Sequence, residues 1–201
     1  MISYNKSKNI LKNSKIKLGE EFINTNKCLY RVTSKDIYVN SYYPSGNNAA
    51  FDGYAIKSSD TNKLNKKIYK KFRIIGSIAA GNKPIKKKIK KFETMEIMTG
   101  ALIPRSFDTI IPIEQINFHP SKKKAEYILL NKKISKFEHV RFKGSDYKKG
   151  DLLISEGTIL LSNHILALKT LGIKKIKVKK KPNILFFSTG NEITNKDKIL
   201  D

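Results

Sequence analysis

The sequence has one cysteine, no tryptophan and no apolar stretch that approaches the roughly 20 residues of a membrane-spanning helix. Cys28 has no second cysteine to pair with, which excludes a disulfide-stabilised scaffold and indicates a reducing compartment. The start of the chain lacks the apolar segment and the cleavage site of a secretory signal. We therefore expect a soluble cytoplasmic protein in which Cys28 is a small buried side chain.

Acidic residues and arginine are also scarce. The chain has 17 Asp and Glu against 41 Lys and Arg, a formal net charge of +24, and only four of the basic residues are arginine. Such a charge suggests nucleic acid or an anionic membrane surface as a partner. However, the lysines are scattered, and arginine is the side chain that reads bases and binds phosphate with two parallel bonds. The distribution therefore favours a solvated surface, with no specific nucleic-acid partner and no membrane partner.

Lysine is absent from four stretches, at residues 36–56, 92–121, 151–168 and 182–195. Because lysine is rarely fully buried, stretches that exclude it are candidates for the core or for a functional site.

Periodicity in the first 50 residues predicts two helices. Residues 3–15 have the thinly spaced apolar side chains of a short amphipathic helix. Residues 18–29 combine helical spacing with Glu20 and Glu21 in the first turn, where carboxylates favour the helix dipole. A turn with a short strand follows at 32–39, and a Pro-Ser-Gly-Asn-Asn loop at 44–48.

The middle of the chain is typical of short strands. Residues 72–78, 110–115 and 126–130 are β-branched or aromatic runs bounded by Gly, Pro, Asn and Ser. We therefore expect an α+β protein in which residues 51–133 form a β-rich domain. This domain would be inserted between the two halves of a mixed helix and strand domain, 1–50 and 134–181, so its two ends should lie close together.

The second half of the mixed domain is expected to contain three elements. Residues 152–161 predict two strands joined by a Glu156-Gly157 turn, and Ser162 is placed to cap a helix that ends at Gly172. Ile176 and Val178 alternate with lysines, which favours a strand that buries one face.

Asn183 to Phe187 is a continuous apolar run, as in the buried first strand of a parallel sheet. Such a strand needs neighbours on both sides, and the sequence after it is too short to provide them. Residues 182–201 are therefore expected to be the truncated start of an α/β domain, either because the sequence is a fragment or because another chain completes the segment.

Three short motifs in the lysine-free stretches carry the side chains that could perform chemistry. Each motif alone is more consistent with an ordinary turn or loop. Together they offer hydroxyls and backbone N–H groups to a phosphate, and the carboxylates of Asp52 and Glu192 could hold a divalent cation against it. The motifs are Phe51-Asp52-Gly53-Tyr54-Ala55, Met98-Thr99-Gly100-Ala101 followed by Pro104, and Ser188-Thr189-Gly190-Asn191-Glu192.

In order and spacing these motifs resemble the molybdopterin molybdenumtransferase family, the MoeA-type molybdenum insertases that are also similar to the E domain of gephyrin. The resemblance covers about residues 18–195 and only the N-terminal portion of the family's members. Further matches in the same order are 30–39, His139-Val140-Arg141, Gly144-Ser145-Asp146, 150–153, Gly157-Thr158 and Leu171-Gly172-Ile173.

The resemblance implies a homodimeric transferase of molybdenum cofactor biosynthesis, which inserts molybdate into adenylated molybdopterin and releases AMP with Mg²⁺ present. It implies an upstream partner, a molybdopterin adenylyltransferase. It also implies that 1–50 with 134–181 is a linking or dimerisation domain and that 182–201 begins the molybdopterin-binding domain.

The same resemblance implies the site residues. The catalytic residues would be Asp52, Thr99 and Glu192, and the cofactor-binding residues would be Gly100, Ser188, Thr189 and Gly190, while the metal ligands stay open. A carboxylate would act on the anionic pyrophosphate through a metal ion. Thr99 and the Gly100 backbone would orient the substrate or donate hydrogen bonds, with a loop-stabilising hydroxyl as the alternative for Thr99.

This chain departs from the family's pattern in its loop and in its length. Asn47, Ala49 and Phe51 stand where members often have Asp, Ser and Met, while Asn191 replaces Asp and Ser145 replaces Glu. The family's pterin-binding domain continues beyond residue 201, so we expect that these 201 residues alone do not insert molybdate. A non-catalytic scaffold or dimerisation module is the alternative, and a basic nucleic-acid-binding protein is a third. The choice between molybdenum and tungsten stays open.

Overall fold

The computed structural model describes residues 2–14, 16–83, 88–185 and 187. These residues form a mixed helix and strand structure in which strands dominate, which confirms the α+β class at this level. The helices are α1 (Tyr4–Asn13) and α2 (Ser162–Thr170). The strands are β1 (Glu20–Asn24), β2 (Ile37–Tyr38), β3 (Asn48–Ala49), β4 (Gly53–Ile56), β5 (Lys70–Ile78), β6 (Glu93–Ile97), β7 (Thr109–Pro112), β8 (Asn117–His119), β9 (Tyr127–Leu130), β10 (Val140–Arg141), β11 (Leu152–Ile154) and β12 (Lys175–Lys179).

The chain divides into two compact units, one of Met1–Ile37 with Ile154–Asp201 and the other of Tyr38–Leu153. Both divisions lie outside the limits of 51–133 expected for the inserted domain. The strands of the largest sheet nevertheless all lie between Gly53 and Leu130. The assignment of 1–50 with 134–181, 51–133 and 182–201 to three domains stays a prediction.

In the first unit, β1 and β12 form a two-stranded antiparallel sheet in which Ile23 lies opposite Ile176. Ile176 and Val178 are buried, which confirms the predicted strand with one buried face. On the other side, Lys177 forms an ion pair with Glu20. The hydrogen bond from Lys177 holds the pKa of Glu20 below its ordinary value.

The helix predicted for residues 18–29 is wrong, because strand β1 and a 3-10 turn at Thr25–Lys27 occupy this stretch. The two carboxylates that favoured a helix start have partners distant in sequence. Glu20 pairs with Lys177, and Glu21 Oε1 lies 2.5 Å from Arg31 Nη2. Pairing with β12 therefore outweighs the local helical spacing.

The helices predicted at 3–15 and after residue 161 are present as α1 and α2. Ser3 Oγ accepts a hydrogen bond from the Lys6 N–H at 3.4 Å and caps α1. The prediction that Ser162 caps α2 is wrong: the capping position is Leu161, whose N–H donates to Nδ1 of His164 at 3.0 Å. Among the described residues, no helix combines the length and apolar character needed to cross a membrane.

Two predicted strands are not found in the described residues. The second strand of 152–161 is reduced to a single bridge between Ile159 and Val32. In the apolar run 183–187, the described residues form no strand, and Ile184, Leu185 and Phe187 are exposed. A strand needs hydrogen-bonding neighbours, and none of the described strands pairs with this run.

The second unit contains a six-stranded sheet in the order β7-β4-β6-β5-β9-β8. Strands β5 and β6 are parallel, and the other neighbours are antiparallel. The strands predicted at 72–78 and 126–130 correspond to β5 and β9, whereas the run 110–115 is a strand only as far as Pro112. One further bond continues the pairing with β4, because the N–H of Ile113 donates to the carbonyl of the opposite residue, Asp52, at 3.1 Å.

Both faces of this sheet are covered by apolar side chains. Tyr54 and Ile56 pack with Phe72 on one side, while Ala55 packs with Met95 and other side chains in a second cluster. Because alternate side chains of a strand point to opposite faces, β4 is buried along its whole length. The sheet therefore gives residues at the ends of β4 and β6 a fixed position.

Candidate active site

Asp52 and Thr99 lie next to each other, although 47 residues separate them in sequence. Asp52 immediately precedes β4, and Thr99 lies two residues after β6, which pairs with β4. The backbone N–H and the hydroxyl of Thr99 both donate to Asp52 Oδ1, at 2.7 Å each. Both residues are exposed. The structure thus places together two of the three residues predicted to be catalytic.

The two hydrogen bonds from Thr99 control the charge of Asp52. The bond from the hydroxyl, followed by that from the N–H, lowers the pKa of the Asp52 carboxyl below its ordinary value. Hydrogen bonds to the ionised form stabilise it relative to the neutral acid. Asp52 is therefore a carboxylate at neutral pH. Among the described residues, its second oxygen, Oδ2, accepts no hydrogen bond, and this oxygen can meet a cation or a donor from a ligand.

Gly53 determines how closely the chain after Asp52 approaches β7. A Cβ atom at this position would lie 2.0 Å from the Ile111 carbonyl oxygen and 2.8 Å from its carbon. These are backbone atoms that cannot rotate away. The Asp-Gly pair, which in other proteins is ordinarily a turn, here begins a strand whose neighbour leaves no space for a side chain.

Gly100 fixes the loop that carries Thr99. Its φ of +79° is in the region that favours glycine. Its N–H donates to the Ala49 carbonyl at 2.9 Å, and its carbonyl accepts from Asn48 Nδ2 at 2.8 Å. The Gly100 N–H already has an acceptor in this geometry, and the role of Gly100 in orienting a substrate or donating hydrogen bonds stays a prediction. Asn48, which sequence reasoning missed, is the side chain that holds this loop.

The loop residues that depart from the family's pattern have structural contacts here. Asn47 Oδ1 accepts a hydrogen bond from the Lys143 N–H at 3.0 Å. Ala49 is buried in one of the two apolar clusters, and the Phe51 ring packs edge-on against His139 with 5.0 Å between ring centroids. The loop is therefore anchored to residues 139–143 without the carboxylate and hydroxyl that members of the family often carry.

The remaining predicted site residues, Glu192, Ser188, Thr189 and Gly190, lie outside the described residues. Within the described part of the chain, no group of three or more His, Cys, Asp or Glu side chains could hold a metal ion. Asp52 is thus the carboxylate that this part offers beside Thr99. Cys28 is fully buried, and burial raises the pKa of its thiol, in agreement with a structural role.

The second unit also contains a large open cavity, which we call the Arg105 groove. Its volume is about 1260 Å³. Neither Asp52 nor Thr99 lines it, and sequence reasoning missed it, although Arg105 is the only Lys or Arg between residues 92 and 121. The groove is lined by Ser45, Gly46, Asn47, Lys57, Lys88, Leu102, Ile103, Pro104, Arg105, Ser106, Phe107, Asp108, Lys136, Phe137 and Val140.

Comparison with known proteins gives one family and a consistent set of relatives. Residues 2–172 match the family model described as the MoeA N-terminal region, domains I and II. The molybdopterin molybdenumtransferases of Staphylococcus aureus (strain N315) and Bacillus subtilis (strain 168) are 29% and 28% identical over 175 and 180 residues. These alignments cover 87% and 89% of this chain but only 40% and 41% of the relatives. The chain thus spans about two fifths of the length of these relatives.

Solved structures agree with this result. A crystal structure of the molybdopterin biosynthesis MoeA protein from Pyrococcus horikoshii is similar with a TM-score of 0.75 and 32% sequence identity. The matched region covers 90% of this chain and 45% of the archaeal chain. A second structure from Pyrococcus horikoshii OT3 has a TM-score of 0.76 at 28% identity.

Proposed function

We propose that this chain, which belongs to the family of MoeA N-terminal regions, contributes Asp52 and Thr99 to the insertion of molybdate into adenylated molybdopterin with release of AMP. The observation that supports this proposal is the pair of hydrogen bonds from Thr99 to one oxygen of Asp52. The names of the relatives supply the reaction class, a molybdenum transfer to molybdopterin in cofactor biosynthesis.

Asp52 has the properties of a group that binds rather than a group that exchanges protons. Its lowered pKa keeps it ionised, so it is a poor general acid at neutral pH. Both Thr99 bonds fall on Oδ1, which restricts the rotation of the carboxylate, and Oδ2 accepts no hydrogen bond within the described part of this exposed residue's surroundings. Thr99 acts as a positioning residue in this proposal, because its hydroxyl proton is already donated to Asp52. This bond also stabilises the loop. The two roles considered for Thr99, orienting the site and stabilising the loop, therefore depend on the same contact.

Mg²⁺ is part of the proposal. This ion commonly binds through one or two carboxylates together with substrate phosphates and water, so a single exposed carboxylate such as Asp52 is compatible with it. When bound, the ion would supply positive charge to the pyrophosphate bond that is broken. Asp52 would hold it, in a side-chain orientation maintained by Thr99.

Glu192 and the stretch from Ser188 to Gly190 are further proposed site residues, which derive from the resemblance alone. A homodimer and an upstream molybdopterin adenylyltransferase remain proposals that derive from the resemblance. Because the relatives are more than twice as long as the matched region, the part of them outside the match is expected to be required for turnover.

The test is an assay of AMP release from adenylated molybdopterin with molybdate and Mg²⁺. The 201-residue chain is assayed alone and together with the C-terminal part of a relative that lies outside the match. We expect turnover in the second case only. Asp52→Asn should lower it by about a hundredfold, since it removes the negative charge that would hold the metal ion, whose charge stabilisation is worth several kcal/mol.

Glu126→Gln is the matched control, because Glu126 is exposed and precedes β9 on the far side of the sheet. It should retain the activity of the unaltered chain. If Asp52→Asn retained full turnover, Asp52 would have no role in the chemistry, and the non-catalytic scaffold would be favoured. Turnover by the 201 residues alone would contradict the expected need for the remaining part.

A further inference from the structure

We infer that the Arg105 groove binds an organic phosphate, a small molecule that carries a phosphate group on an apolar or aromatic body. The inference does not rest on the proposed function, since it concerns a different set of residues and is tested by binding alone. The observation that supports it is that Arg105, unlike the other three arginines, has no ion-pair partner in the described part of the chain.

Three of the four arginines are paired with carboxylates. Arg31 Nη2 lies 2.5 Å from Glu21 Oε1, Arg73 Nη2 lies 2.5 Å from Glu93 Oε1, and Arg141 pairs with Asp146. Among the described residues, Arg105 is exposed and has no carboxylate within 4.0 Å. Its planar fork of donors, which matches phosphate with two parallel bonds, is therefore left for a ligand.

The groove is not unusually rich in cations compared with the rest of the chain. Four of its 15 lining residues are Lys or Arg, which is close to the 41 of 201 found in the whole chain. What distinguishes the groove is that its carboxylate is already bonded. Asp108 accepts from the Ser58 N–H through Oδ1 at 2.7 Å and from the Ser58 hydroxyl through Oδ2 at 2.9 Å. Arg105, Lys57, Lys88 and Lys136 line the cavity without an ion-pair partner in the described chain, so the lining stays net positive beside Asp108 and favours an anionic group.

The apolar part of the wall determines the class of phosphate. Leu102, Ile103 and Pro104 lie on the segment that leads to Arg105, and Phe137 with Val140 lies on another segment of the wall. Phe137 is 42% exposed, with Lys136 Nζ 4.7 Å from its ring centroid and the Phe142 ring packed edge-on against it. Inorganic phosphate would leave this apolar surface unused. The volume of about 1260 Å³ exceeds that of most ligand pockets, roughly 300–1000 Å³, so a ligand of nucleotide size fits with room for water.

The segment that carries Phe137 is held firmly along the sheet edge. The Phe137 N–H donates to the Asp108 carbonyl at 3.0 Å, and the Ile110 N–H donates to the Glu138 carbonyl at 3.1 Å. These bonds connect two walls of the groove to β7, the edge strand. A preformed wall loses little conformational entropy when a ligand binds.

The experiment measures binding of AMP and phenyl phosphate to the 201-residue chain by NMR titration and calorimetry at physiological salt. Adenosine and inorganic phosphate serve as probes of the two halves of the ligand. We expect that the organic phosphates bind more tightly than either half and shift the amide signals of groove residues. Arg105→Gln should weaken binding by at least about tenfold, and Arg105→Lys, which keeps the charge but loses the fork, by an intermediate factor.

Two control variants distinguish binding in the groove from diffuse attraction to the basic surface and from binding at Asp52. Lys123→Gln removes one positive charge at the turn between β8 and β9, on the edge of the sheet opposite β7, and should change the affinity by less than about twofold. Equal losses in Lys123→Gln and Arg105→Gln would show non-specific attraction and overturn the inference. Asp52→Asn should leave binding at the groove unchanged, although it is expected to lower the proposed turnover. Signal shifts confined to Asp52 and Thr99, or no binding of either organic phosphate, would also overturn it.

Discussion

Replacing Gly53 by alanine tests the close approach between β4 and β7. The added Cβ would lie 2.0 Å from the Ile111 carbonyl oxygen, 2.8 Å from its carbon and 3.0 Å from Pro112 Cα. Because all three are backbone atoms, the two strands must separate by about 1.5 Å to reach an ordinary contact. The change tests the sheet directly, and it also tests the position of Asp52, the residue that precedes Gly53.

The size of the effect follows from three contributions. Overpacking in a well-packed region costs about 1–3 kcal/mol. Each backbone hydrogen bond lost between the strands costs about 1 kcal/mol more. Alanine recovers about 0.5–1 kcal/mol, because glycine loses more conformational freedom on folding. We therefore expect Gly53→Ala to lower the free energy of unfolding by about 2–4 kcal/mol, which corresponds to a fall in Tm of about 4–16 °C for a chain of this length.

The assay is thermal and urea unfolding followed by circular dichroism, with Gly19→Ala as the matched control. A Cβ at Gly19 meets only the Lys180 side chain, at 3.4 Å and 3.8 Å, and this side chain can move. Gly19→Ala should therefore stay within about 0.5 kcal/mol of the unaltered chain. If Gly53→Ala unfolded at the same temperature as Gly19→Ala, the close pairing of β4 with β7 would be refuted.

Two further predictions concern hydrogen-bonded carboxylates. Thr99→Val removes the hydroxyl bond to Asp52 and should raise the Asp52 pKa towards its ordinary value, as measured by carbon-13 NMR titration, whereas Thr99→Ser should leave it low. The pKa of Glu93 is lowered by the Lys90 N–H and by Arg73, so its contribution to stability is present above its unfolded pKa of about 4.3 and is lost as pH falls through the lower folded value. Glu93→Gln should therefore destabilise the chain at pH 7 and much less at pH 3 in urea unfolding, and an equal effect at both pH values would contradict this assignment.

Local patterns predicted β5, β9 and most of β7, because alternation and bounding turn residues are visible in the sequence, but they did not single out β4, β6 or β8. They failed where a distant partner decides the structure. Residues 18–29 have helical spacing, but pairing between Ile23 and Ile176 makes a strand of their middle part. The cap of α2 was assigned to Ser162 because of its hydroxyl, while the structure uses the ring of His164.

The candidate site was predictable in part. The motifs around Asp52 and Thr99 pointed to a common site, and their contact in space agrees with this. The need for glycine at position 53 could not be predicted, since a single sequence does not show which strand approaches this residue. The Arg105 groove was also missed, because its walls come from separate segments at 45–47, 102–108 and 136–140. An isolated arginine in a lysine-free stretch was the available signal.

The pairing of β1 with β12 has a consequence for the order of events during synthesis. Glu20 lies opposite Lys179, so the two strands join the beginning of the chain to a segment made more than 150 residues later. At about 5–20 residues per second, β1 waits on the order of 10–30 s on the ribosome before its partner exists. The six-stranded sheet is complete in sequence by Leu130 and can fold in that interval. Once that sheet has folded, fewer disordered residues separate β1 from β12, so the entropic cost of closing the loop between them falls.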